Sequence, residues 1–293
     1  MIEIFHASDL HFGKSKKQTR GAKLLLEKIK EGFKIGEAEN KHLLITGDTV
    51  QDGEKNEYKI ALEALIPFKE NVCVVPGNHD YGPMGSGYSD NAAKRFDNDL
   101  ANKLGIIHRF FPKTPYSKIV EDREGNKVLL IGLNSCLKTK SILDFAGGKI
   151  GKKQRKSLDQ ILSNQTYKDI PKIIFLHHIP HRRAKSIFMS LKDWGKLMDI
   201  VRDRVDVLAF GHEGKMGELE QKEIKKMKMA KQEIKRLDDL RKTSIPIREM
   251  KLRSGKGQGI RYYLDANKSV KEQACYRIKI EGSKVSARLM KLA

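Results

Sequence analysis

"VVPGNHDYG" (74–82) begins as a buried strand and ends in groups that bind metals and move protons. Behind the β-branched Val74 and Val75 crowd Pro76, Gly77, Asn78, His79, Asp80 and Gly82. A loop that needed only to turn would use Asn-Gly or Pro-Asp-Gly, so this dense polar set asks for a second purpose. What that purpose is depends on whether the other apolar runs of the chain end in the same way.

They do. Short apolar runs recur as "IEIFHA" (2–7), "HLLIT" (42–46), "VCVV" (72–75), "VLLIGLN" (128–134), "KIIFLH" (172–177) and "DVLAF" (206–210). Several are apolar throughout instead of alternating, which predicts strands covered by helices on both faces. Helical spacing separates them: Leu24, Leu25, Ile29 and Phe33; Ile60, Ala61, Ala64 and Leu65; Gln154, Leu158, Ile161 and Leu162; and a pattern around Phe188, Leu191, Leu197 and Met198. Strand and helix in alternation predict a layered α/β or α-β-β-α domain. In open α/β sheets, ligands bind beyond the carboxyl ends of the strands. The first run ends in "SDLHFG" (Asp9, His11), the second in "TGDTVQDG" (Asp48, Asp52), the third in "GNHD", the fifth in "HHIPHRR" and the sixth in "GHEG".

Each cluster alone has a bland reading. Asp9 could cap a helix, Gly47-Asp48 could be a tight turn, and His177 after "IIFL" could be a satisfied core histidine. Their ordered co-occurrence at one edge reverses that reading. Carboxylate, imidazole and amide oxygen together suit borderline divalent ions such as Mn, Fe, Co or Zn. The set is large enough for two ions, which can clamp a phosphoryl group and lower the pKa of a shared water.

The chain has 293 residues, enough for one large α/β domain with an insertion or for two small domains. At 39% hydrophobic it can fill a core, and 58 Lys and Arg against 37 Asp and Glu give +21, a balance that favours phosphate esters, nucleic acid or an acidic surface. The three cysteines have no motif spacing; Cys73 and Cys136 sit inside apolar runs, as in a reducing cytoplasm. No signal segment and no apolar stretch of membrane-spanning length is visible.

Beyond residue 213 the pattern changes. Met216, Leu219, Met227, Ala230, Ile234 and Leu237 form a narrow apolar stripe on a charged helical segment, which Pro246 ends and "RSGKGQG" (253–259) follows as a turn. Residues 214–260 hold 14 Lys and Arg against 7 Asp and Glu. A solvated charged helix is the plain reading; a dimer arm, a lid or a clamp on a polyanion are the sharper ones. "CYRIKIEG" and "KVSARLMKL" alternate and predict a closing hairpin around Gly282 and Ser283. "FGKS" (12–15) has Ser8 where a phosphate-binding P-loop needs glycine, and "GKGQG" (255–259) follows no strand, so neither is a nucleotide motif.

The order D-x-H, G-D-x-x-x-D-G, G-N-H-D, H-H-x-P and G-H-x-x, over residues 2 to about 213, resembles the calcineurin-like metallophosphoesterase superfamily. "GGKIGKKQRKSLDQIL" (147–162) and "HHIP" resemble the branch containing bacterial class III cyclic-nucleotide phosphodiesterases. The resemblance implies a four-layer α-β-β-α sandwich over residues 1–293, with 214–260 as an inserted basic helical arm. It implies that Asp9 and His11 hold one metal, that Asp48 bridges two, and that Asn78, His177 and His212 complete the second. His79 would protonate the leaving oxygen, with Asp80 orienting its imidazole. His178, the adjacent histidine of the pattern, would meet the substrate or support the ligands from behind. Apart from the resemblance, the position of Arg182 beside the site makes it the first choice for a phosphate contact. The implied reaction is hydrolysis of a phosphodiester, a cyclic or small nucleotide, by a two-metal-activated water. A nuclease using the basic arm, a phosphomonoesterase, and a nucleic-acid-binding module with a decayed metal site are the alternatives. Two positions depart from the family pattern: Gln51 replaces an Asp or Asn, and Gly214 stands where a further histidine would ligate the first metal.

Overall fold

The computed structural model describes residues 1–35, 38, 40–85, 87–110, 114–136, 147–180, 191–212 and 260–292. Arg182, Glu213, Gly214, Phe188 and the arm expected at 214–260, Ile260 excepted, lie outside the described residues.

Among the described residues, ten strands form two sheets. β1 (Ile2–Ala7), β2 (Asn40–Thr46), β3 (Val72–Val75), β9 (Ala274–Glu281) and β10 (Lys284–Lys291) form one, in the order β10-β9-β1-β2-β3. β4 (Tyr116–Glu121), β5 (Lys127–Gly132), β6 (Lys172–Phe175), β7 (Val207–Phe210) and β8 (Tyr262–Asp265) form the other, in numerical order. β1, β2 and β3 run parallel, as do β5 through β8. The expected hairpin is present as β9 and β10, antiparallel, with Glu281 opposite Lys284. β4 and β8 are strands that the apolar runs did not reveal. Both lie at sheet edges, and β4 buries only Val120, so neither needs the continuous apolar sequence that marks a covered strand.

The helices α1 (Lys16–Lys34) and α2 (Lys55–Leu65) follow β1 and β2; α4 (Lys152–Ser163) and α5 (Trp194–Val201) follow β5 and β6. Two short helices, α3 (Asp90–Arg95) and α6 (Ser269–Glu272), are also present. Ser15 of "FGKS" caps α1, accepting the Gln18 amide at 3.1 Å. The buried stripe of α1 is Ala22, Leu25, Leu26 and Ile29, whereas Leu24, expected on it, is 42% exposed. Each buried Leu or Ile of that stripe contributes about 1.5–3 kcal/mol.

The strands confirm why their sequences are apolar on both faces. Val128 and Leu130 of β5, Ile173 and Phe175 of β6, and Val207 and Ala209 of β7 fill the core between the sheets. Their neighbours Leu129, Ile131, Ile174, Leu208 and Phe210 pack with Leu158, Leu162, Leu197 and Val201 of α4 and α5. The result is the expected four-layer α-β-β-α sandwich. Because β1, β2, β3, β5, β6 and β7 are parallel within their sheets, their carboxyl ends converge on one edge of it.

Candidate metal centre

Among the described residues, four of the six non-glycine residues with positive φ are Asp9 (57°), His11 (48°), Asp48 (49°) and His212 (72°). Such left-handed conformations cost a non-glycine residue about 1–2 kcal/mol, and they cluster where function holds them. Here the chain leaves β1, β2 and β7 and must bend sharply so that the side chain just past the strand turns back over the sheet edge. Two glycines permit the closeness. A Cβ on Gly77 would lie 2.2 Å from Asp48 Oδ1, and one on Gly47 (φ +86°) would lie 2.6 Å from His177 Nδ1.

The edge has a buried floor and a half-buried rim. Asp48, His177 and His212 are buried; Asp9, His11, Asn78 and His79 are partly exposed. On the floor, His177 Nε2 lies 2.8 Å from His212 Nδ1, 3.0 Å from Asn78 Oδ1 and 3.4 Å from Asp48 Oδ2. The Thr46 carbonyl, 2.8 Å from His177 Nδ1, accepts its N–H and so fixes the ring orientation. Lone-pair atoms that converge on one ring nitrogen need a positive charge in their midst, and either a proton on His177 or a metal ion meets that need. The donor set of two imidazoles, an amide oxygen and a carboxylate fits a borderline divalent ion. On the rim, His11 Nε2 lies 3.7 Å from Asp48 Oδ2 and 3.8 Å from Asp9 Oδ1. His11, Asp48 and His79 have ligand atoms within 4.8 Å of one another, as have Asp48, His177 and His212. Asp48 is the member common to both groups.

The electrostatics follow from burial and proximity. Burial alone would raise the Asp48 carboxyl, but His177, His79 and His11 around it hold it well below the usual carboxylate range. Burial alone would lower His177, but the Asp48 carboxylate outweighs that and lifts it to about 9. Asp9 is raised to about 6, chiefly by burial. His11 is lowered to about 4, also by burial, which favours the neutral, ligating imidazole.

Two expectations need correction. Asp80 does not orient His79. Its carboxylate accepts the backbone amides of Gly77 (2.8 Å), Val50 (3.0 Å) and Thr49 (3.3 Å), while its own carbonyl accepts the Tyr58 hydroxyl at 2.6 Å. Asp80 thus fastens the loop after β3 to the loop after β2. The imidazole of His79 is held instead by the Gln51 carbonyl, 2.7 Å from Nδ1, which leaves Nε2 as the nitrogen able to exchange a proton with a bound molecule. Because the backbone of Gln51 does this, the identity of its side chain matters little. His178 likewise does not face the surface. It is buried, with its ring centroid 4.3 Å from that of His212 and Nδ1 2.7 Å from Ser135 Oγ, so it braces a candidate ligand and cannot reach a substrate without displacing its neighbours.

The sequence reading missed Ser135 and the carbonyls of Thr46 and Gln51. Backbone atoms carry no residue signature. Ser135 had a weak one, since Asn134 and Ser135 follow β5 at the same edge. Asn134 is structural there: its side-chain amide donates to Tyr81 Oη (2.9 Å) and to the Phe110 carbonyl (2.8 Å).

Comparison with known proteins agrees with this geometry. The family model of the calcineurin-like phosphoesterases matches residues 2–216. The fold superposes on a dimetal phosphatase of Danio rerio with a TM-score of 0.61 at 12% identity, over 100% of this chain and 99% of that one. It also superposes on GAP50, the anchor in the inner membrane complex of Plasmodium, with a TM-score of 0.56 at 13% identity, over 99% and 84% of the two chains. For the NAD nucleotidase of Haemophilus influenzae the TM-score is 0.50 at 12% identity, and this chain spans 49% of that longer one. No curated protein matches the sequence. At such identities the structural likeness speaks to fold alone, and the family match over residues 2–216 speaks to descent. The chain belongs to the calcineurin-like phosphoesterase family.

Proposed function

We propose that the protein is a metal-dependent phosphodiesterase that hydrolyses a nucleotide diester. The observation that carries the reading is the convergence of His177 Nε2, His212 Nδ1, Asn78 Oδ1 and Asp48 Oδ2 on one point, beside a second group sharing Asp48. Two divalent ions (Mn, Fe, Zn or Co) would supply Lewis acidity toward the phosphoryl oxygens and lower the pKa of a water. Asp9 and His11 would hold one ion, Asn78, His177 and His212 the other, and Asp48 would serve both. The Asp48 carboxylate also accepts the His79 amide at 3.0 Å, tying the two loops across the site.

His79 carries the proton. With Nδ1 engaged by the Gln51 carbonyl, the imidazolium presents its Nε2 proton to the leaving oxygen, and after transfer Nε2 keeps the lone pair. A diester with a sugar hydroxyl as leaving group needs such an acid. The resemblance of "GKIGKKQ" and "HHIP" to cyclic-nucleotide phosphodiesterases supports the diester over the monoester. The buried, free thiols of Cys73, Cys136 and Cys275 support a reducing compartment such as the cytoplasm. Among the described residues no helix is long and apolar enough to cross a membrane.

The test is hydrolysis of bis-p-nitrophenyl phosphate beside p-nitrophenyl phosphate with Mn added, in the wild type and in Asn78→Ala. Diester cleavage that the substitution abolishes is the expected result. Cleavage of the monoester alone would move the assignment to a phosphomonoesterase, and cleavage unaffected by Asn78→Ala would remove this site from the reaction.

A further inference from the structure

A groove of about 700 Å³ opens beside the metal edge, between the first turns of α1 and Ile60 of α2. It starts at Gly13, two residues beyond the candidate ligand His11, and one wall is Lys16, Arg20 and Lys23 of α1. All three are exposed, and none is ion-paired among the described residues. Leu24, 42% exposed against the expectation of its sequence, lies in the groove with Ile60 and gives it an apolar surface. Glu27 is the one acidic residue among those lining it.

From this we infer that the groove binds the sugar–phosphate backbone of a single-stranded oligonucleotide whose scissile diester lies at the metal edge. The inference deepens the phosphodiesterase reading and rests on it for the position of the reacting bond. The spacing of the cations supports a chain over a mononucleotide. Residues 16, 20 and 23 fall on one face of α1, and at about 1.5 Å of rise per residue they are spread over roughly 10 Å. A mononucleotide whose phosphate sits among the metal ligands would leave all three unused. A strand carries one negative charge per nucleotide and keeps several within that span. A positively charged groove that tracks the backbone is how proteins hold a single strand without reading its sequence. With no aromatic residue lining the groove for bases to stack on, the binding rests on phosphate contacts and is strongly dependent on salt.

The experiment measures binding apart from chemistry. A fluorescent 12-nucleotide deoxythymidine strand is titrated with metal-free protein at several salt concentrations, using the wild type, the groove variant K16Q/R20Q/K23Q, and a control variant K284Q/R288Q/K291Q. The control removes the same charge from β10, where those three residues are exposed. The groove variant should bind at least about tenfold more weakly. Its salt slope should fall by about 2, near 0.7 for each phosphate of a single strand that the protein no longer neutralises. The control should stay within about twofold of the wild type. Equal weakening in both variants, or no binding by the wild type, would overturn the inference by assigning affinity to net charge or to nothing. Inorganic polyphosphate of equal charge serves as competitor, and if it displaces the strand equally well from the wild type and from the groove variant, the groove is not the site. Groove-dependent binding together with failure to cleave bis-p-nitrophenyl phosphate would sink the catalytic reading while leaving the groove as a nucleic-acid site.

Discussion

The two ends of the parallel strands in the second sheet contain similar residue types and do opposite things with them. Where β6, β7 and β8 begin, a cavity of about 750 Å³ is lined by Lys168, Lys172, Arg204, Asp206 and Arg261 among others. Several of its charges are already engaged: Arg261 pairs with Asp206 at 3.3 Å, Arg204 with Asp159 at the surface beside it, and the Lys172 ammonium donates to the carbonyls of Ile170 and Lys168 at 2.8 and 3.1 Å. Where β6 and β7 end, His177 and His212 turn their ring nitrogens toward each other and toward Asn78 and Asp48. The hollow at the strand starts is a place where polarity is largely satisfied. At the strand ends acceptors are forced together, and a proton on His177 or a metal ion must stand among them. The direction in which lone pairs point therefore says more about chemistry than the presence of a cavity.

Within the fold, a second contrast isolates the cause. His6 and His177 are both fully buried. His6, near the end of β1, has Thr46 Oγ1 at 2.9 Å and no carboxylate beside it, and burial lowers it to about 3. His177 has Asp48 and rises to about 9. Burial is common to both; the neighbouring carboxylate decides the sign.

The comparison can be broken most severely at His79. His79→Ala should retain metal, measured by stoichiometry, yet lose about 10²–10⁴ of turnover on diesters with poor leaving groups. Bis-p-nitrophenyl phosphate, whose leaving group needs little acid, should suffer far less. Equal losses on both substrates would show that His79 does not act as an acid, and loss of metal would make it a ligand alongside His11 and Asp48.

A milder effect is expected from His6→Gln. The folded protein holds His6 near 3, below its ordinary 6.5, so the unfolded chain binds the extra proton between those values. The stability that neutral His6 allows is complete above pH 6.5 and is lost as pH falls toward 3. At pH 4 the loss is on the order of 3 kcal/mol. In urea melts the wild type should lose more stability than His6→Gln between pH 6 and pH 4, each measured against its own value at pH 7. A parallel pH dependence in the two proteins would assign the acid sensitivity elsewhere, for example to His42, which burial lowers to about 4.

The smallest effect belongs to the paired cavity. Arg204→Ala removes one partner of an exposed ion pair and should change stability by within about 1 kcal/mol and diester hydrolysis not at all. A loss of activity there would mean that the cavity at the strand starts communicates with the metal edge, and the contrast between the two ends would fail.

Much of this protein was legible before any coordinates. Apolar runs without alternation predicted covered parallel strands because both faces of such strands meet hydrophobic layers, and the structure divides Leu129 and Leu130, or Ile173 and Ile174, between two cores. The residues after those runs predicted a metal edge because parallel strands deliver their carboxyl ends to one side, and Asp9, His11, Asp48, Asn78, His79, His177 and His212 do meet there. Sequence alone determined which side chains gather. Only the tertiary structure decided what each one touches. The Asp80 carboxylate turns to three amides instead of to His79, His178 turns to Ser135 and His212, and Leu24 turns outward into a groove. These choices were hidden for one physical reason. They are made by backbone carbonyls and amides, and by which way a helix or loop rolls against its neighbours, and neither leaves a trace in the order of side chains.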